Sequence, residues 1–274
     1  MGRDRRKRAR DVEKALGLLA KMRQKPKKSK SAVRKRRAGA GRKKTDAPAL
    51  PQLSLAEGVS IERQVYRALR YALMSGSINP GAKLTSRPIS VALGVSATPV
   101  REALKRLEAD GALVGRNKTA FFVNDPDQSD FAELLDIRLS LEIQAIRAAA
   151  LRATANNLNP VRRIYEEYKR LLASSDAAEG KVLAINFSFH FEIYKISGSP
   201  LLVQMIETLW LRIGPALHSS IVHGKNAELA IGHGEMLDAL AARDPNRAEA
   251  ALRNDLVNAA RAVIPQLRPR LQSP

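Results

Sequence analysis

Gly94-Val95-Ser96-Ala97-Thr98-Pro99-Val100-Arg101-Glu102-Ala103-Leu104-Lys105-Arg106-Leu107-Glu108-Ala109-Asp110-Gly111 reads as a tight turn, a capped helix and a helix stop. Ser96 can accept a hydrogen bond from free first-turn amides, Pro99 falls where its missing N–H costs little, and Gly111 suits the left-handed position beyond the last turn. These signals predict a helix from about Ala97 to Asp110. Val100, Ala103, Leu104 and Leu107 follow the i, i+3, i+4, i+7 spacing and make one apolar stripe, while Thr98, Arg101 and Lys105 project from an adjoining face. The stripe packs, and the other face is free to meet a ligand. A shorter helix, about Ser86 to Leu93, precedes it across Gly94-Val95-Ser96, which is helix-turn-helix spacing. Such a pair lays its second helix in a DNA major groove. Two short amphipathic helices joined by glycine also occur in ordinary cores, so the spacing alone leaves both readings open.

The flanks extend the pattern. Ile61, Val65, Ala68, Leu69, Ala72 and Leu73 mark one face of a helix ending near Gly76, and Asn79-Pro80-Gly81 reads as a turn. Ala112-Leu113-Val114 and Phe121-Phe122-Val123 are β-prone runs flanking residues 115–119, a hairpin wing. Leu84 to Arg87 together with Gly94 to Leu104 closely resembles the winged-helix domain of GntR-family bacterial transcription regulators.

That resemblance implies a DNA-contacting set. Arg87 matches an arginine that approaches the backbone and groove edge; Ser96 and Thr98 match hydroxyls at the recognition-helix N-terminus, where free amides also favour a phosphate. Arg101 matches the base-reading arginine, suited to guanine O6/N7. Asn117 and Lys118 match a wing tip that dips toward the minor groove. Ala97 replaces a second base-reading arginine common in the family, and residues 118–120 lack the usual wing-tip glycine, so direct readout is expected to be leaner. The competing reading of Arg101 is a surface arginine paired with a glutamate.

Composition bounds the rest. The chain has 274 residues, 45% of them apolar and 4% aromatic, enough to bury a core of one or two domains and biased toward helices. It has no cysteine, which excludes disulfides and thiolate metal sites. No apolar run approaches bilayer length and no signal segment follows the basic N-terminus, so a bacterial cytoplasmic, nucleoid-associated protein is the expectation. The net charge of +20 is concentrated: residues 1–44 hold 20 Lys+Arg against Asp4, Asp11 and Glu13, a balance of +17. Residues 1–56 therefore read as a disordered basic tail, serving either as a phosphate-binding arm or as a solvated extension.

From Asp125 onward the pattern is helical, with breaks near 156–159, 174–176, 198–200, 224–226 and Asp244-Pro245. About six helices are predicted. The expected organisation is a tail at 1–56, a winged helix-turn-helix domain at 57–124 and an all-α domain at 125–270. Asp136 to Glu142 and Asn186 to His190 resemble the FCD effector bundle of the FadR subgroup.

Asn186 and His190 lie one helical turn apart, and the chain has only four histidines. In FCD bundles an Asp or Asn, a histidine four residues on and two later ligands hold a divalent metal; the later positions match His233 and Asp255, the latter replacing a histidine common in the family. Two imidazoles, a carboxylate and an amide oxygen suit Zn, Mn, Ni or Fe without selecting one. A histidine between phenylalanines, as His190 is, also reads as an ordinary core residue. Gly232 and Gly234 flank His233 within a helical pattern at about 1 kcal/mol each relative to alanine, which suggests close approach of another group. The resemblance places Arg138 at the effector cavity as a partner for a ligand carboxylate, with Arg212 as a second candidate. The alternative for Arg138 is a surface i, i+4 pair with Glu142, worth a few tenths of a kcal/mol. Trp210 reads as core, and His218 and His223 as surface or supporting residues.

Together these readings imply a homodimeric regulator that binds an inverted-repeat DNA operator and answers to a small organic acid at a metal-containing pocket. Two rivals remain at this stage: a non-specific nucleic-acid-coating protein driven by the tail, and a metal-dependent enzyme acting on small acids, for which no general base or nucleophile stands beside the proposed ligands.

Overall fold

Ser60 accepts a hydrogen bond from the Arg63 amide at 3.3 Å and starts α1, Ile61–Met74. A computed structural model describes residues 58–116, 120–174, 179–223 and 226–269, without the side chains of residues 179, 218–223 and 226–231. The basic segment 1–56, the wing-tip residues Asn117 and Lys118, and the side chains of His218 and His223 lie outside the described residues. On α1 the expected stripe is buried at Val65, Ala68, Leu69, Ala72 and Leu73, but Ile61 is exposed. Gln64, Tyr66 and Met74 are buried as well, because α1 packs against two partners on different sides.

Strand β1, Lys83–Leu84, leads to α2, Ser86–Leu93, and α3, Ala97–Ala109. Gly94 ends α2 at φ 65°. Past α3, the Gly111 N–H reaches Glu108 O and the Ala112 N–H reaches Leu107 O, with Gly111 at φ 74°, so the predicted stop is a Schellman motif. Val100, Ala103, Leu104 and Leu107 are all buried, as the stripe required. Ser96 occupies the N-cap position, yet its hydroxyl makes no capping bond, a correction to the sequence reading.

The wing is β2, Leu113–Arg116, paired antiparallel with β3, Ala120–Val123. It is longer than read, since Gly115 pairs with Phe121 and Arg116 with Ala120. β1 adds a third strand that the sequence did not announce, in sheet order β1-β3-β2. Two residues carry too little alternation to be recognised alone.

Six helices follow among the described residues: α4 Gln128–Arg152, α5 Ala155–Ala173, α6 Glu179–Ile196, α7 Pro200–His223, α8 Asn226–Ala241 and α9 Pro245–Val263. Asp127 and Asp130 form a capping box on α4, and Asp244 caps α9 with Pro245 in its first turn. The break expected at 156–159 instead falls at Ala153-Thr154. Thr154 caps the Asn157 amide at 3.2 Å while the Asn157 side chain returns to the Thr154 amide at 2.8 Å. The asparagines and Pro160 thus belong to the opening turns of α5. The fold is mainly α, a winged helix-turn-helix domain followed by an all-α bundle. Within the bundle, α9 packs on α8 and α4, and α5 on α6 and α8, which brings α6, α8 and α9 around one buried centre.

Candidate metal centre and nucleic-acid interface

The recognition helix α3 is held from behind. Tyr66 on α1 donates to Asp110 at 2.6 Å, and Arg106 lies over the Tyr66 ring at 4.0 Å. At the far end, Glu108 accepts from the Gly115 amide of β2 at 3.0 Å and ties the helix to the wing. The outward face is left uncommitted. Arg87, Ser96, Thr98 and Arg101 are exposed, and the guanidinium groups of Arg87 and Arg101 make no ion pair or hydrogen bond among the described residues. Glu102 is engaged by Lys105 at 3.0 Å, so the paired-arginine reading of Arg101 does not hold. A free cation at this position is what a phosphate or a guanine edge requires.

In the bundle, His190 from α6, His233 from α8 and Asp255 from α9 converge. One ligand atom from each lies within 4.8 Å of the others. His190 Nε2 is 3.3 Å from Asp255 Oδ2, and His233 Nε2 is 3.5 Å from Asp255 Oδ1. All three are buried, at 2%, 0% and 6% exposure. Packing explains the approach: a Cβ on Gly232 would come 3.2 Å from Asp255 Oδ1, and one on Gly234 would come 2.6 Å from the Tyr165 hydroxyl. The glycines that weaken α8 are the ones that admit these neighbours.

The protons in this centre follow from its partners. Tyr194 donates its one proton to Glu142 Oε2, so its oxygen faces His190 Nδ1, at 3.2 Å, as an acceptor. His190 Nδ1 must then carry a hydrogen. In the neutral ring that leaves the Nε2 lone pair aimed at the Asp255 carboxylate, an arrangement that needs a cation or a proton between them. The His233 ring stacks on Phe189 with centroids 4.3 Å apart, and neither of its nitrogens has a hydrogen-bond partner. Burial pushes His233 down to about 3, with Asp255 opposing and His190 adding to the shift, so the ring is neutral. Burial would raise the Asp255 carboxyl, but the positive charge that faces it, from the His233 and His190 rings when protonated and from the Arg138 guanidinium, outweighs burial and holds the group below its ordinary value. A neutral His233 nitrogen and an ionised Asp255 oxygen are the forms in which these groups bind a divalent cation. Orphaned buried nitrogens and a lone pair facing a carboxylate fit a metal here.

Residues 61–123 match the bacterial regulatory proteins of the gntR family, and residues 133–258 match the FCD domain. The HTH-type transcriptional regulator McbR of Escherichia coli is 34% identical over 169 residues, 62% of this chain and 76% of McbR. The solved structure of E. coli McbR/YncC aligns with a TM-score of 0.70 at 31% identity, covering 76% of this chain and 98% of that one. The chain belongs to the GntR family. It is a DNA-binding transcription regulator that carries an FCD domain. Among its other relatives is the HTH-type transcriptional repressor RspR of E. coli, 27% identical over 201 residues, 72% of this chain and 86% of RspR.

Within this GntR protein the two expected effector arginines differ in placement. Arg138 does pair with Glu142, at 2.6 Å from Nε and 3.3 Å from Nη2, but the pair is buried at 2% and 0% exposure rather than on the surface. Its guanidinium also lies 4.6 Å from the centre of the Trp210 ring, in a buried network that reaches His190 through Glu142 and Tyr194. Arg212 is exposed, and its guanidinium covers Gly111 at the end of the recognition helix, outside the centre altogether. Asn186 is half-buried one turn before His190 and has no hydrogen-bond partner among the described residues, which leaves its amide oxygen available.

Sequence reasoning missed the supporting shell. Glu142 accepts from Arg138, from Tyr194 and from Trp210 Nε1 at 3.0 Å, and Tyr194 carries that network to His190. Asn186, His190 and Tyr194 are spaced i, i+4, i+8, a signal that could have placed the tyrosine beside the ligand. Tyr168 lies across the His233 ring with centroids 4.7 Å apart and offered no such signal. Burial, reinforced by the Asp255 charge, keeps its phenol protonated.

Proposed function

We propose that this GntR regulator is a homodimeric repressor whose FCD centre binds a divalent metal and, through it, a small organic acid that alters operator affinity. The observation that carries the reading is the buried His190, His233 and Asp255 set with its unpartnered imidazole nitrogens. His190 Nε2, a His233 nitrogen and an Asp255 oxygen would hold the ion, with Asn186 as the fourth candidate. A bound ion would supply an open position for an anionic oxygen. Zn, Mn, Ni and Fe all suit these donors.

Arg87, Ser96, Thr98 and Arg101, with Asn117 and Lys118 on the wing tip, are the proposed contacts to double-stranded DNA. Two copies would present two recognition helices to the half-sites of an inverted repeat. The described residues offer a route between the two sites. Tyr194 links His190 to Glu142, Trp210 on α7 donates to the same carboxylate, and Trp210 and Phe187 meet edge to face at 5.8 Å. Phe187 in turn meets Tyr71 on α1 at 5.7 Å, and Arg70 on α1 pairs with Glu207 on α7. An acid shifts operator binding only by its difference in affinity for two placements of α1, so this contact is where such a difference would be expressed.

Metal content of untagged protein purified without chelators tests the reading. About one ion per chain is expected in the wild type and none in the His190→Ala/His233→Ala variant, with operator binding retained by both. Folded wild type that takes up no Zn, Mn or Ni would return both histidines to the core and sink the metal reading.

A further inference from the structure

We propose that the Tyr168 hydroxyl is the hydrogen-bond donor that grips the carboxylate oxygen of an acid bound at the His190, His233 and Asp255 centre; this rests on the metal reading above and assigns the grip to one residue. Tyr168 is fully buried on α5, at 0% exposure, and its hydroxyl has no hydrogen-bond partner among the described residues. A buried phenol without a partner is a cost that phenylalanine would avoid at nearly the same volume. The position of the ring says what the hydroxyl is near. It lies across His233, 4.7 Å between centroids and tilted 41°, while the Phe189 ring stacks on the same imidazole with centroids 4.3 Å apart.

The neighbouring residues narrow the role. Tyr165, one turn earlier on α5, reaches the Gly234 backbone, so α5 lays two phenols along the glycine-flanked segment that presents His233. Of the other donors beside the ligands, Tyr194 donates to Glu142, and Arg138 and Trp210 donate to the same carboxylate. Among these groups the Tyr168 O–H is a fully buried donor beside His233 that has no acceptor among the described residues. Three protein ligands, or four with Asn186, leave a coordination position for an outside oxygen. A carboxylate bound there has lone pairs to accept from a phenol, whereas an amine or an apolar ligand does not. Tyr168 would therefore act on the bound acid and not on the ion.

The test uses the full chain loaded with Co(II), whose visible absorption reports its coordination, and acetate as the probe. Wild type and Tyr168→Phe should each take up one Co(II) per chain with the same spectrum. Acetate titrated into the two should bind at least ~fivefold more weakly to the variant, the loss expected for one hydrogen bond. The metal-free variant should melt no lower than the wild type, since it loses an unpartnered hydroxyl. Acetate affinity changed by less than that factor overturns the assignment, as does a Tyr168→Phe protein that loses Co(II) or melts lower, which would make the residue structural. Wild type that binds Co(II) but not acetate overturns the assignment and leaves the metal standing; wild type that binds no Co(II) removes the metal reading itself.

Discussion

Glu142 holds three donors inside the bundle, one of them a guanidinium with 2% exposure. Replacing it with glutamine would leave the Arg138 charge buried without a counterion, at a cost of about 3–5 kcal/mol. Urea unfolding of Glu142→Gln at neutral pH should show that loss; a change below about 1 kcal/mol would mean the pair is solvated. His233 gives a second expectation. Its folded value near 3 lies below the ordinary 6.5, so between these pH values the unfolded chain binds a proton that the folded chain does not. Stability of the metal-free protein should fall as pH drops through this window, by about 2 kcal/mol at pH 5 from this residue alone. Asp255, held low, adds to the loss in more acidic solution, while His190, Tyr168 and Arg138 are the other groups facing the ring's surroundings. Unfolding midpoints at pH 7 and pH 5 for wild type and His233→Phe check this, and equal dependence in both would exclude His233 as the source. At this scale the sequence was half legible. Spacing brought Arg138 beside Glu142, but the helical period gives direction and not depth, so a surface pair and a buried one look alike. His233 was legible because its flanking glycines conflict with helix propensity.

The recognition helix was the most legible element, because every signal that bounds it is local: Pro99 at its start, four apolar residues on one stripe, Gly111 at its end. On this helix, Arg101→Ala should cost about 1–3 kcal/mol of operator affinity while leaving non-operator DNA nearly unaffected. Binding to an operator and a scrambled duplex at one salt concentration distinguishes that from equal loss on both, which would make Arg101 a phosphate contact. Helix α7 carries a less visible device. A Cβ on Gly214 would lie 2.6 Å from Leu73 O and 2.8 Å from Met74 O, so the last turn of α1 rests directly on the α7 backbone. Within a helix alanine is favoured over glycine by about 1 kcal/mol, so stabilisation by Gly214→Ala would mean the contact is loose. The expected outcome is the reverse, a loss of about 1–3 kcal/mol from overpacking, with faster amide exchange in α1. Nothing local in residues 209–215 announced this, since the partner is about 140 positions away. The Pro160 region was misread for a related reason: an early-turn proline and a Thr154 cap produce the same composition as a loop.

For the whole molecule, charge and fold are separable. The balance of +17 in residues 1–44 lies before the first described helix. A tail that contacts phosphates would add affinity for any sequence and steepen the salt dependence. Removing residues 1–56 should therefore weaken binding to operator and scrambled duplexes by a similar factor and flatten the plot of log affinity against log salt. An unchanged slope would make the tail a bystander, and complete loss of operator preference would favour the nucleic-acid-coating reading.

Helix α1 belongs to two cores at once. Tyr66 and the Val65 to Leu73 stripe serve the winged domain, while Arg70, Tyr71 and the carbonyls of Leu73 and Met74 meet the bundle. A boundary drawn at residue 124 cuts the chain where it is thin but leaves this wall unsupported on one side. The DNA-reading half is consequently a poor cassette for transplantation: grafted onto a foreign sensor it would present a stripped apolar strip, and a chimaera would work only if the new partner offered a glycine-floored seat for the same helix.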